Sequence, residues 1–252
     1  MAHDVPLGCA PDEYDDLISG TCSHLPYVLR DFESGGWMMI KVKIYKAEKD
    51  ITKSELLHKV NDNLYDEDKG YGFQIINNSE VLELRFTMRS ISKQSLEYAN
   101  GEHSEVEIAT YLNVDFGVRQ GKKIILYATN PPLSMKMPYT MVQKLFGEDS
   151  GLRPVEFDLR KVVNGLSEGF DLKIKSMSLS NISVDPFTLA KTKIVSSKNL
   201  QEIYQNKYMN SSAVFDSVHF FVNGIETELS RTGRFRVRES QLPTLLSILE
   251  TL

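Results

Sequence analysis

The chain has 252 residues, 41% hydrophobic and 10% aromatic, with a formal net charge of −5. That is enough apolar material for one large or two small globular domains, and no apolar run approaches the roughly 18 residues of a membrane-spanning helix. The N-terminus lacks the basic-then-apolar order of a secretory leader, and the two cysteines, Cys9 and Cys22, both lie within residues 1–36. This argues against a disulfide scaffold, so a soluble, cytoplasmic protein is expected.

Charge divides the chain unevenly. Residues 1–36 hold one basic and seven acidic side chains, which leaves 28 basic against 27 acidic in the remainder. The body is thus near neutral, and its net charge steers it neither toward nor away from nucleic acid. The acidic segment mixes Pro6, Pro11, Pro26 and Gly35-Gly36 with Asp12, Glu13, Asp15 and Asp16, and reads as a tail or docking segment. His3, Cys9, Cys22 and His24 are metal-capable, but their spacing is not that of the short paired ligands of zinc sites. Unpaired residues in an acidic segment are the plainer reading, and no cofactor is expected.

From Trp37 to Lys46, apolar Met38, Ile40, Val42 and Ile44 alternate with Lys41 and Lys43, predicting a strand with one solvated face. Thr52 and Glu55 form a capping box opening a helix with Leu56, Leu57, Val60 and Leu64 on one face. Tyr71–Ile76 and Glu80–Arg89 flank Asn77-Asn78 as a hairpin. Another strand, Glu105–Phe116, follows Asn100-Gly101 with Val106 and Ile108 directed inward. Lys122–Ala128 reads as a central strand. Asn130-Pro131-Pro132 then breaks the chain before a helix carrying Met141, Val142, Leu145 and Phe146, ended by Gly147.

Residues 148–154 are the candidate boundary. A helix is predicted over Val155–Asn164, ending at Gly165 in the C′ position, followed by a strand from Asp171 with a bulge near Ser176. Phe187–Val195 predicts a strand, and Ser197–Met209 a helix with Leu200, Ile203 and Tyr204 inward.

Val214–Arg238 reads as a three-stranded meander. Asn223-Gly224 supplies a type I′ turn, and Arg231-Thr232-Gly233 a three-residue loop with left-handed glycine. That register sets Leu229 opposite Phe235, Glu228 opposite Arg236 and Glu226 opposite Arg238, leaving Arg234 as the free cation. Leu242–Leu252 closes the chain as a short apolar helix. The expected class is α+β, on a mostly antiparallel sheet of hairpins and meanders with four to five helices. Residues 37–147 and 148–252 are two similar sheet-plus-helix halves or parts of one domain.

Catalytic signatures are absent: there is no phosphate-cradling glycine loop, G-x-S-x-G elbow or paired-histidine zinc helix. Glu156, Asp158 and Lys161 have the residue types of a metal-dependent nuclease site, although acidic residues also suit a helix start. His103, between Glu102 and Glu105, is an acid–base candidate whose plainer identity is a surface turn histidine.

Basic residues offer more. Arg234, Arg236 and Arg238 share a strand face, as do Lys173 with Lys175 and Lys191 with Lys193. With Arg119, Lys122 and Lys123, and with His219 and Phe221 for stacking, they suggest an anion-binding surface. The leading reading is a non-enzymatic binding or assembly module that presents a sheet face and an acidic tail to protein partners. A DNA- or RNA-binding protein and a metal-dependent nuclease or other hydrolase are the alternatives. No feature of the sequence sets an oligomeric state.

Overall fold

A computed structural model describes residues 38–120 and 124–251. His3, Cys9, Cys22 and His24 lie outside the described residues, as do Lys122 and Lys123. The strand predicted to follow the tail is β1 (Met39–Lys46), and its two faces enter two different cores. Ile40, Val42 and Ile44 are buried in one, and Tyr45 in the other.

Around β1 the first half adds α1 (Lys53–Asn61), β2 (Tyr71–Asn78), β3 (Val81–Glu97), β4 (His103–Gln120), β5 (Ile124–Thr129) and α2 (Lys136–Phe146). The second half adds β6 (Arg153–Pro154), α3 (Leu159–Gly169), β7 (Leu172–Asp185), β8 (Thr188–Val195), α4 (Gln201–Ile203), β9 (Val214–Val222), β10 (Ile225–Ser230), β11 (Arg234–Arg238) and α5 (Leu242–Glu250). One sheet runs β2-β3-β4-β5-β1-β11-β10-β9-β7-β8, with β6 paired to β1. Every pairing between these strands is antiparallel. The described residues are therefore α+β, with an antiparallel sheet and five α-helices, and β1 carries that sheet across the 147/148 boundary. Among the described residues no helix is long and apolar enough to cross a membrane.

Side-chain alternation decides where the helices pack. Leu82, Leu84 and Phe86 of β3 and Val114, Phe116 and Val118 of β4 share a core with Leu56 and Val60 of α1 and Met141, Val142, Leu145 and Phe146 of α2. Val218, Phe220 and Val222 of β9, with Phe235 and Val237 of β11, share the other core with Val162 and Leu166 of α3 and Leu245 of α5. Because β1 feeds its even-numbered residues to one core and Tyr45 to the other, the two helical layers cover opposite faces of the sheet. Among the described residues, each half consequently keeps one face without a helical layer.

The predicted local signals form as expected at several points. Asn223 and Gly224 both have positive φ, at 47° and 80°. The Arg231–Gly233 loop sets Leu229 opposite Phe235 and Glu228 opposite Arg236. A register shift between Ile174 and Ser176 marks the bulge in β7. The Thr52 and Glu55 capping box forms reciprocally at 3.2 and 3.0 Å.

Other elements differ. Helix α3 starts at Leu159 because the preceding segment is drawn into the sheet, where the Val155 N–H donates to the Ile44 carbonyl at 3.0 Å and the Phe157 N–H to Arg231 at 2.8 Å. Gly165 lies inside that helix, which continues to Gly169. Helix α1 ends at Asn61, leaving Leu64 outside it and exposed. In α4, which runs into a π turn over Tyr204–Tyr208, Leu200 and Tyr204 are buried while Ile203 is exposed. The β2–β3 turn falls at Ser79-Glu80, since a bulge between Ile75 and Asn77 sets Asn78 opposite Leu82.

Strands β3 and β4 outrun their neighbours. They pair from Val81 opposite Arg119 to Glu97 opposite His103, whereas β2 reaches only Met88 and β5 only Asp115. The remainder is a two-stranded arm roughly 25–30 Å long. Val106 and Ile108 lie on this arm rather than in the core, and Val106 is exposed.

Gly233 is wedged at the seam between the halves. Its carbonyl accepts from Ile44 N–H at 2.9 Å, its φ is 74°, and a Cβ there would lie 2.3 Å from the Val155 carbonyl oxygen. Gly233→Ala is expected to cost about 2 kcal/mol or more, seen as a lower denaturation midpoint at unchanged slope. Thr227 is 1% exposed and its hydroxyl has no hydrogen-bond partner among the described residues. The near-isosteric Thr227→Val is expected to stabilise by about 1 kcal/mol in the same measurement.

Candidate anion-binding groove

With Ile40, Val42 and Ile44 committed to the core on β1, and Phe235 and Val237 on β11, the intervening cations must face the other way. Strand pairing then sets Lys41 opposite Arg236 and Lys43 opposite Arg234. The result is a rectangle of four cations about 5 Å by 7 Å at the backbone. Like charges directly opposite on paired strands are unfavourable, by roughly 0.2–1 kcal/mol per pair.

The chain builds a wall beside them. Asn130, in the left-handed region at φ 44°, accepts from the Lys41 N–H through Oδ1 at 3.0 Å and donates its own N–H to the Lys41 carbonyl at 2.6 Å. This anchors Pro131, Pro132 and the fully exposed Leu133 along an open groove of about 480 Å³. Ser217, Ser230 and Thr232 also line it, with the Ser230 and Thr232 hydroxyls 2.9 Å apart. These hydroxyls are further donors toward an anion.

Carboxylates do not neutralise the rectangle. Glu228 lines the groove and stands opposite Arg236 in register, but among the described residues no carboxylate oxygen lies within 4.0 Å of Lys41, Lys43, Arg234 or Arg236. Glu226 instead engages His219, Oε1 to Nε2 at 3.0 Å. The ion pair expected between Glu228 and Arg236 is therefore absent among the described residues, and Arg236 joins Arg234 in the groove lining. His219 and Phe221 lie side by side on β9 with ring centroids 6.1 Å apart.

The other predicted residues are placed elsewhere. Lys173 pairs with Asp171 at 3.5 Å, and Lys191 with Asp216 at 3.3 Å. Lys175 donates to the Ser197 carbonyl at 3.2 Å, and Lys193 is exposed on the edge strand β8. Arg238 has an interaction partner of its own. Arg119 holds α5, donating to the Pro243 carbonyl at 3.1 Å and to Ser247 Oγ at 2.9 Å, with Glu250 at 3.5 Å.

Asp158 caps α3, accepting from the Arg160 and Lys161 amides at 3.2 and 3.4 Å, and Lys161 pairs with it at 3.9 Å. Glu156 is exposed. His103 is exposed near the arm tip, opposite Glu97. Among the described residues no three His, Cys, Asp or Glu side chains converge to hold a metal. Lys41 and Lys43 were legible as a solvated strand face. Their role in the groove depends on the pairing of β1 with β11, which no local signal announces.

Burial, and then the neighbouring Arg234 charge, hold the Lys43 ammonium below the ordinary lysine range. The unfolded chain therefore binds this proton more tightly. The resulting penalty is present while Lys43 is charged, and it fades as pH rises from the folded pKa toward the ordinary value. Arg234→Ala is expected to raise the Lys43 pKa without restoring it fully, because burial remains; a side-chain NMR titration of Lys43 measures this. An unchanged pKa would remove charge crowding as a cause. No protein-family model matches the chain and no curated protein matches it, so its functional reading rests on the geometry of the groove.

Proposed function

We propose that this protein is a non-enzymatic binding and assembly module whose working surface is the uncovered face of the second-half sheet, and that the groove takes an acidic segment of a protein partner. The observation that carries this reading is the rectangle Lys41, Lys43, Arg234 and Arg236, four cations without ion partners among the described residues in one groove. An anionic segment laid there relieves the cross-strand repulsion and makes charge-assisted hydrogen bonds. The proline-rich wall and exposed Leu133 add an apolar contact of the kind found at protein interfaces. In sequence, the acidic residues 1–36 offer a second contact of opposite sign.

Nucleic acid is the second reading, supported by His219 and Phe221 on the same strand face as part of the groove lining. Nucleic-acid grooves track a backbone with extended basic surface. Here Lys173 and Lys191 are paired with acidic neighbours, and Arg119 holds a helix. That favours a short acidic peptide over a long polyanion.

A labelled glutamate-rich peptide, titrated by fluorescence anisotropy, is expected to bind the wild type and to lose about tenfold or more in affinity in Lys43→Ala with Arg234→Ala. Equal binding by both proteins would remove the groove as the site. A single-stranded oligonucleotide is titrated in parallel over a salt series. If it binds more tightly than the peptide, with a steep salt dependence abolished by the same substitutions, the nucleic-acid reading replaces this one.

A further inference from the structure

We infer that the acidic partner of the groove is a second copy of this chain, which supplies its β3–β4 arm. The inference rests on the groove's reading as a site for acidic protein segments. Beyond the sheet the arm carries Glu97, Glu102, Glu105 and Glu107 against one lysine, Lys93. All of these side chains are exposed. On β4, Glu105 and Glu107 are two residues apart and project to one face, where both share the single ammonium of Lys93, at 4.0 and 3.5 Å, so that the cluster keeps a net negative charge. Their repeat equals that of Lys41 with Lys43 and of Arg234 with Arg236, so carboxylates and cations are opposite in sign and equal in spacing. The arm's other face carries exposed Leu96 and Val106.

The arm is a fully paired hairpin that continues β3 and β4 past the last pairings of β2 at Met88 and of β5 at Asp115. An arm of this kind meets a groove on another copy. Edge-to-edge association is disfavoured at both ends of the sheet. The β8 edge carries Lys191 and Lys193, which in a two-fold pairing would face their own like. The β2 edge is partly occupied by its own chain, where the Tyr65 N–H donates to the Phe73 carbonyl and the Phe73 N–H to that of Asn63, both at 2.9 Å.

Arm and groove are different surfaces. Two copies can therefore exchange arms reciprocally about a two-fold axis, or join head to tail in chains or a ring.

Sedimentation velocity over a concentration series tests this. The wild type is expected to grow beyond the monomer as concentration rises at low salt, and to return to monomer at high salt. Glu105→Lys with Glu107→Lys, and separately Arg234→Glu with Arg236→Glu, are expected to remain monomeric. An equimolar mixture of these two variants is expected to restore association, because the unaltered acidic arm of the groove variant then meets the unaltered basic groove of the arm variant. That rescue excludes misfolding as the cause of lost association. A wild type that stays monomeric throughout, or variants that associate as the wild type does, would overturn the inference. If the glutamate-rich peptide still binds a monomeric wild type through Arg234 and Arg236, only this inference fails. If charge reversal in the groove alters neither peptide binding nor association, the groove's proposed function fails with it.

Discussion

The structure depends on β1 serving two cores at once. An antiparallel strand in the middle of a sheet must place alternate residues on opposite faces. Here Ile40, Val42 and Ile44 serve the core beneath α3 and α5, while Tyr45 stacks on Tyr139 of α2 with ring centroids 5.4 Å apart. The segment after α2 reinforces the junction. Arg153 and Pro154 pair with β1, Val155 bonds to Ile44, and Phe157 to Arg231 in the loop that Gly233 closes. Backbone from both halves meets there within hydrogen-bond distance, leaving no room for a side chain at Gly233.

Covering opposite faces creates two uncovered ones, and their charges are handled differently. On the first half, Arg85 makes a bidentate pair with Asp115 at 2.7 and 3.0 Å, and Arg89 reaches Glu67 Oε1 at 2.7 Å while Tyr111 donates to the same oxygen at 3.3 Å. These pairs hold both arginines in the charged form. On the second half the four cations of the groove have no such partners among the described residues, and burial and Arg234 together depress the Lys43 pKa. The same solution was available to both faces. Among the described residues Arg85 and Arg89 use it, and the four cations of the groove do not.

Local chemistry was legible wherever it acts over a few residues. Asn223-Gly224 and Gly233 were recognisable because positive φ excludes most side chains, and the Thr52–Glu55 box because two amides need acceptors. The bulge at Ser176 was readable from the switch in apolar phase between Ile174 and Met177. Prediction slipped where tertiary bonds competed with local ones. Val155 and Phe157 were taken from α3 by the sheet, and Val106 and Ile108, apolar and in phase, lie on the two-stranded arm beyond the pairings of β2 and β5. Register alone also misled over Glu228 and Glu226. Strand pairing puts Glu228 opposite Arg236, yet the carboxylate does not reach it, and His219 takes Glu226.

By itself the sequence determined the alternation along the core strands, the turns at Asn223-Gly224 and Gly233 and the Thr52–Glu55 cap, because period, positive φ and capping are properties of neighbouring residues. It also determined that Arg234 and Arg236, like Lys41 and Lys43, share a face. Only the tertiary structure decided that these two pairs are one cluster, since β1 and β11 lie at opposite ends of the chain and meet through pairing that no short-range signal encodes. It likewise decided which face of each half is covered, a choice made by helices that pack wherever apolar surface remains. The groove exists because those two decisions coincide.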